Sequence, residues 1–349
     1  LRRRRALAAL IGAALALAPA MSVAAEAADG WEPVADVSVR SLGGFRVGLP
    51  GETRFGALEW LGGLQVSDAG GRIGGLSDLR TYDGGRRILA LSDDGVWFSA
   101  DLVTDADGRL RDLANAAVAP MRIAGLVRRD KRQLDSEGLA LRRRGDRYEA
   151  AVSFEANNRI VIFSDARDPR DVVRQAGRVM AGAPREFATL RFTKGLEALV
   201  ATPPGHRLGE ALVAVSEAPR RGDTDMIGFL LGGATPGIFH VRRSDDFDVT
   251  AAAFLPGGDL LLLERRFQLF TGPAMRIRRI AAAAIRPGAT VDGPVLIQAN
   301  LTQAIDNMEG LDVDTAPDGG TVLTLISDDN RSVMQRTLIL RFKLVEAAP

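Results

Sequence analysis

The chain is predicted to fold as an all-β propeller of five blades, and three observations lead there. Five segments repeat one plan: a glycine-flanked or polar strand start is followed 14–20 residues later by a second strand ending in acid. They run from Gly75 to Gly95, from Asp135 to Glu155, from Gly195 to Glu217, from Asp248 to Arg266 and from Asn307 to Asn330. The equivalent starts at positions 77, 137, 197, 250 and 309 lie 60, 60, 53 and 59 residues apart, a length that suits one four-stranded unit with generous outer loops. From about Phe45 onward, short apolar runs alternate with Gly, Asp, Asn and Pro clusters, the pattern of strands and turns.

Taken in chain order, Arg2 to Arg5 are basic, Ala6 to Ala18 apolar, and Val23-Ala24-Ala25 small. That is the layout of a secretory signal peptide over residues 1–25. The apolar run is shorter than the ~20 residues of a comfortable membrane span, so the mature protein is expected to have no stable span; an uncleaved anchor is the competing reading. The arginines weakly resemble a twin-arginine signal without its flanking residues, which leaves the export route open. The expected location is periplasmic or secreted. Residues 26–44 read as a lead-in and 45–349 as one propeller domain, because neither a linker nor a shift in composition divides them.

Asp83-Gly84-Gly85, Pro256-Gly257-Gly258-Asp259 and Pro317-Asp318-Gly319-Gly320 fall between first and second strands of their repeats. Gly and Asp tolerate the positive φ of tight hairpins. Asp105-Ala106-Asp107-Gly108 is read as another turn, because the glutamate that a calcium loop carries at its twelfth position is missing. Ala281 to Ala284 is the best short helix candidate, although Arg276 to Ile280 before it alternates like a strand. Residues Gly56 to Val66 precede the first repeat and Thr337 to Phe342 follow the last; they are expected to share a blade and close the ring, removing exposed edges. A sixth blade built from residues 36–70 is the competing count.

Lys and Arg total 45 against 44 for Asp and Glu, so no global charge draws the chain to nucleic acid. Aromatic residues are 5% of the chain and do not interleave with Arg128-Arg129 or Arg142-Arg143-Arg144 as a stacking platform would. With no cysteine, disulfides, thiolate metal sites and cysteine nucleophiles are excluded. Loss of residues 1–25 would leave 41 basic and 44 acidic side chains, a net charge of −3.

In a propeller blade the start of the first strand and the end of the antiparallel second lie on one face. Glu137, Glu197 and Glu309 begin first strands, while Asp93, Glu155, Glu217, Glu264, Asp328 and Asp329 end second strands. These acids are expected to crowd one mouth of the channel. Two like charges 4 Å apart repel by about 4 kcal/mol at an effective dielectric of 20, so the ring must take up a cation, bind protons or borrow basic side chains. Calcium suits such a set because it accepts six to eight oxygen ligands; Asn307 and Asn330 add neutral oxygens. Zinc suits it badly, since His206 and His240 lack ligand spacing. The competing reading is structural: acids at strand starts bond to amides of the next blade, with Lys194, Arg265, Arg266 and Arg331 neutralising the rest.

The ordered series Gly74-Gly75-Leu76-Ser77 with Leu91-Ser92-Asp93-Asp94-Gly95, Ser136-Glu137-Gly138-Leu139-Ala140, Gly195-Leu196-Glu197-Ala198-Leu199, Leu263-Glu264-Arg265, and Asn307-Met308-Glu309-Gly310-Leu311 with Ser327-Asp328-Asp329-Asn330 resembles the bacterial phytase-like propeller proteins, "esterase-like activity of phytase". The resemblance covers about residues 45–343. It implies a secreted propeller with an acidic channel mouth and, by analogy, a phosphate ester as substrate, phytate being the named candidate. The chain departs from the pattern at Val249-Thr250-Ala251 and Ser77-Asp78, where an acid followed by Gly-Leu is missing.

Two functions compete. As a metal-dependent hydrolase of phosphate esters, the protein would hold calcium with Glu137, Glu197, Glu309, Asp93, Asp328, Asp329 and Asn330. Glu155 or Glu217 would act on the attacking water, and Lys194, Arg265 and Arg331 would bind phosphate, with Arg265 also counted among the catalytic groups. As a binding module, the propeller would present the same mouth to a small ligand or envelope partner, its acids being structural. A serine-esterase version is weaker, because Ser77 lacks the closing glycine of a nucleophile elbow and an evident base. A monomer is expected.

Overall fold

Five antiparallel sheets stand around one axis in the computed structural model, which describes residues 30–126 and 130–345. Blade I comprises Leu76–Tyr82, Arg87–Ser92, Val96–Thr104 and Leu110–Pro120, with Glu32–Pro33 outermost. Blade II comprises Ser136–Arg144, Arg147–Phe154, Arg159–Ala166 and Arg178–Val179. Blade III comprises Leu196–Ala201, Ala211–Ser216, Met226–Gly232 and Gly237–Val241, and Thr290–Val291 joins its outer edge in parallel. Blade IV comprises Asp248–Phe254, Leu260–Gln268, Gly272–Ile280 and Val295–Ala299. The innermost strand of each blade packs against those of its two neighbours, which closes the circle.

Blade V joins both ends of the described chain. Asn307–Thr315, Thr321–Asp328 and Thr337–Leu344 come from the C-terminal side, and Leu58–Asp68 and Val37–Ser41 from the N-terminal side. Thr337 pairs with Val66 and Leu344 with Leu58, so the closure expected from the leftover strands is present and there are five blades. Phe45, Phe55, Trp60 and Phe342 pack edge-on or stacked beside that seam, with ring centroids 4.8–5.4 Å apart. The lead-in is not separate from this architecture: Val37–Ser41 and Glu32–Pro33 are outer strands of blades V and I, so the propeller extends below residue 45. The signal-peptide reading lies outside the described residues. Among those that are described, no helix is long and apolar enough to cross a membrane.

Each blade is sandwiched between two others, so its central strands are buried on both faces. Leu260 to Leu263 and Ile88 to Leu91 are fully buried without alternation, as expected of strands without a solvent face. The tight turns fall where expected, with Asp83, Gly84 and Gly85 at φ 54°, 65° and 73°. Ala282–Ala284 forms only a single 3-10 turn after the strand Gly272–Ile280.

One irregularity recurs in all five blades. The register between first and second strands slips by one residue at Ser77, at Glu137-Gly138, at Glu197, at Thr250 and at Glu309. These are the five positions that define the sequence repeat. A β-bulge turns an extra residue out of the ladder and re-aims its side chain. The glycine after the bulge in blade II is required by packing: a Cβ at Gly138 would collide with the Glu197 carbonyl of blade III.

Further along the channel, the inner strand of blade I contributes an ion pair that ties the ring together. The Asp78 carboxylate accepts from the amide of Leu139 in blade II at 2.8 Å. Its partner Arg80 donates to the carbonyls of Leu199 in blade III, Ala252 in blade IV and Leu311 in blade V, at 2.7, 3.2 and 2.9 Å. Asp78 and Arg80 are buried and lie 3.1 Å apart. All five blades are therefore bonded through one buried pair. Arg80 lies three positions beyond Ser77, which puts its side of the tie roughly 10 Å along the strand from the bulge.

Candidate functional site

The bulges form one tier of a pocket and the second-strand ends form another. The first tier is Ser77, Glu137, Glu197, Thr250 and Glu309. The second, one residue beyond the last bulge-flanking pair of each blade, is Asp93, Glu155, Glu217, Arg265 and Asp328. All but Thr250 line a pocket of about 230 Å³ together with Thr193, Lys194 and Asn330. Thr250 instead donates to the Met308 carbonyl at 3.1 Å. The pocket lining thus holds seven carboxylates against two cations, Lys194 and Arg265.

The sequence expectation gathered Glu264 into this ring, and the structure corrects it. Glu264 pairs directly with Val249 across the ladder, one residue before the mouth position. A shift of one residue along a strand points the side chain to the other face. Glu264 is fully buried between Arg276 and Arg278, with its Oε2 2.5 Å and 2.9 Å from their Nε atoms. Arg265 occupies the mouth position instead.

Of the other expected ligands, Asp329 is taken up by structure. Its carboxylate accepts from the Gly75 amide at 2.9 Å and from Arg331 N at 3.0 Å, clipping blade V to blade I. Arg331 points away from the pocket, donating to the Gly71 carbonyl at 2.6 Å and facing Asp94 at 3.3 Å. Glu155 is clip and pocket residue at once, because one oxygen accepts from the Gly195 amide of blade III at 2.9 Å. Asn330 lines the pocket while its side-chain amide donates to Gln335 at 3.1 Å.

The cations bridge acids rather than standing free. Lys194 lies 3.0 Å from Glu217 and 2.7 Å from Asp248. Arg265 lies 3.1 Å from Glu217 and 3.2 Å from Glu309, and donates to Asn307 at 2.9 Å. Lys131, on the one-turn helix Lys131–Leu134, reaches Asp93 and lies 3.0 Å from Asp135.

This leaves carboxylate unbalanced. Burial drives Glu137 and Glu197 well above the ordinary carboxylate range, and neighbouring acids push them further: Asp135 and Glu155 for Glu137, Glu137 and Glu217 for Glu197. Burial raises Glu309 to about 8 against the opposing pull of Arg265. It raises Glu155 to about 7 against the Gly195 amide, and Asp328 to about 6. Asp93 is raised as well, burial outweighing Lys131. Burial disfavours the cations of Lys194 and Arg265, but Glu217 beside both and Glu309 beside Arg265 hold them protonated. Without another positive charge, the pocket retains protons near neutral pH.

Carboxylate oxygens converge in two groups that share one member. Asp135, Glu137 and Glu155 bring ligand atoms within 4.8 Å of one another, and so do Glu155, Glu197 and Glu217. Glu309 Oε2 and Asp93 Oδ1 are buried without a hydrogen-bond partner. An all-oxygen donor set with orphaned buried oxygens fits a hard divalent cation and disfavours a soft one. Asp135 and Asp248 were not singled out from sequence as site residues. Their signal was position, since each lies two residues before a bulge.

Ser77 lines the pocket, yet no histidine does among the described residues. His206 is engaged by the Gly258 carbonyl at 3.0 Å and by Leu208 N at 3.2 Å, and His240 lies in the outer strand Gly237–Val241. The serine-esterase constellation is therefore not assembled here.

A family model described as phytase-like, esterase-like activity of phytase, matches residues 71–331. That stretch contains all five inner strands and every residue lining the pocket. Comparison with curated proteins finds no match. Among solved structures, a thermostable family-43 glycoside hydrolase is 10% identical over 80% of this chain and 96% of its own, with a TM-score of 0.48. The α-L-arabinofuranosidase PaAbf62A from Podospora anserina, in complex with cellotriose, is 15% identical over 82% of this chain and 97% of its own, with a TM-score of 0.46. The β-propeller domain of Cps50 (Swd1) from Myceliophteria thermophila is 11% identical over 88% and 100%, with a TM-score of 0.38. Likeness at this level carries no argument about chemistry.

Proposed function

Because the chain belongs to the phytase-like family, we propose that its mouth pocket binds calcium and hydrolyses a small phosphate ester. The observation that carries this reading is the pair of carboxylate triads sharing Glu155, in a lining of seven acids and two cations. Asp135, Glu137 and Glu155 would hold one cation and Glu155, Glu197 and Glu217 a second, with Glu309, Asp93, Asp328 and Asn330 around them. Bound calcium would supply positive charge that offsets the negative charge of the phosphate ester in the transition state. Lys194 and Arg265 would bind the remaining phosphate oxygens, Arg265 with a planar fork suited to them. The proposed setting is outside the cytoplasm, which rests on the leader pattern of residues 1–25.

Chelator-treated protein is expected to lose hydrolysis of a generic phosphomonoester by at least tenfold and to regain it on calcium addition. Equal turnover with and without chelator would remove this mechanism. One observation favours the competing reading of a ligand-binding module: Lys194 and Arg265 are already engaged by internal acids. Calcium binding with no turnover of any ester would establish that alternative.

A further inference from the structure

The carboxylate pocket does not end at its charged lining. Beyond Arg265, the hairpin between the second and third strands of blade IV carries Phe267, Leu269 and Phe270, which are 71%, 81% and 97% exposed. The equivalent loop of blade V carries Val333 and Met334, also exposed, and the loop entering blade V carries exposed Leu301. All three loops emerge on the mouth face, since they continue from the second-strand ends or lead into the first strand. Exposed apolar side chains gathered in this way mark a contact surface.

The shape of this surface indicates what it contacts. Phe267, Leu301 and Met334 form the apolar side of a groove of about 520 Å³ whose polar side includes Arg265, Arg266, Asp306 and Arg336. Arg265 and Asn330 line both groove and carboxylate pocket, so the two lie side by side. Gly272 at φ 70° lets Leu301 close against the hairpin, because a Cβ there would meet the leucine side chain. A concave apolar wall opening into a polar pocket recognises one molecule with two ends.

Resting on the phosphate-ester reading of the pocket, we propose that the substrate is a phosphate monoester of an apolar alcohol, whose hydrocarbon part lies against Phe267, Leu301 and Met334. A polyphosphorylated polyol such as phytate has no hydrocarbon part for Phe267, Leu301 and Met334 and sets further anionic charge against the acids. It is therefore expected to be the poorer ligand.

The test is calorimetric binding of methyl, butyl and hexyl phosphate and of inorganic phosphate to the calcium-loaded protein. Burying one methylene is worth about fourfold in affinity at most. Hexyl phosphate is expected to bind at least tenfold tighter than methyl phosphate. In a Phe267→Ser/Met334→Ser double variant, which alters only exposed side chains, that ratio should fall toward one. A flat series in the wild type overturns the apolar-alcohol assignment while leaving the phosphate reading intact. Failure of every phosphate, inorganic phosphate included, overturns both. A flat series with Phe267-dependent sedimentation on phosphatidylcholine vesicles would assign the wall to a lipid surface and overturn the proposal.

Discussion

Arg80→Met is expected to lower folding stability by about 3–5 kcal/mol, the cost of breaking a buried ion pair by removing one partner. The substitution strands the Asp78 carboxyl, already raised to about 7 by burial in spite of Arg80. It also removes the donor shared by the Leu199, Ala252 and Leu311 carbonyls. Inner strands of three other blades then lose their common partner, so the damage is to the ring rather than to one sheet. Denaturant unfolding followed by circular dichroism measures it. An Asp78→Asn/Arg80→Met double variant should recover part of the loss, because it leaves no unpaired charge behind. An Arg80→Met midpoint indistinguishable from wild type would show that the pair is not the tie described.

The second large effect is expected at Glu155. It belongs to both carboxylate triads, so Glu155→Gln should weaken calcium binding at least 100-fold at both proposed positions. Asp135→Asn, which touches one triad, should remove one binding event and spare the other. The glutamine keeps an oxygen that can accept from the Gly195 amide, so the clip between blades II and III survives. Calorimetric titration of the folded variants separates the two roles of this residue. Wild-type calcium binding by Glu155→Gln would mean that the acid serves the fold alone.

The sequence was legible where function interrupts a buried pattern. Ser77, Glu137, Glu197, Thr250 and Glu309 interrupt apolar strands because a bulge falls at each, and all but Thr250 line the pocket. The repeat therefore marked the blades and the first tier of the pocket together. The closing blade was legible because Gly56–Val66 and Thr337–Phe342 had no partner within their own repeats. Val37–Ser41 was not, since an outer edge strand is mostly solvent-facing and lacks an apolar face to announce it. Glu264 misled because a run of Glu-Arg-Arg does not reveal which residue ends the ladder, and one position decides the face. The Asp78–Arg80 tie was present as an i, i+2 pair on one strand face. Its reach to four other blades depends on convergence of distant strands, which no local pattern encodes.

The central claim is that the bulges and second-strand ends gather carboxylates from separate blades into one pocket with two adjoining cation positions, held partly protonated until the cations arrive. Calcium titration of chelator-treated wild-type protein, in buffers of differing ionisation enthalpy, tests it most directly. Glu309, Glu155 and Asp328 have values raised to about 8, 7 and 6, so the metal-free pocket binds protons that calcium must displace. Binding should release protons near pH 6.5, and affinity should rise with pH across the range from about 6 to 8 as the competing protons of Asp328, Glu155 and Glu309 are lost. No saturable binding, or binding with no proton release and no pH dependence across that window, would contradict the account.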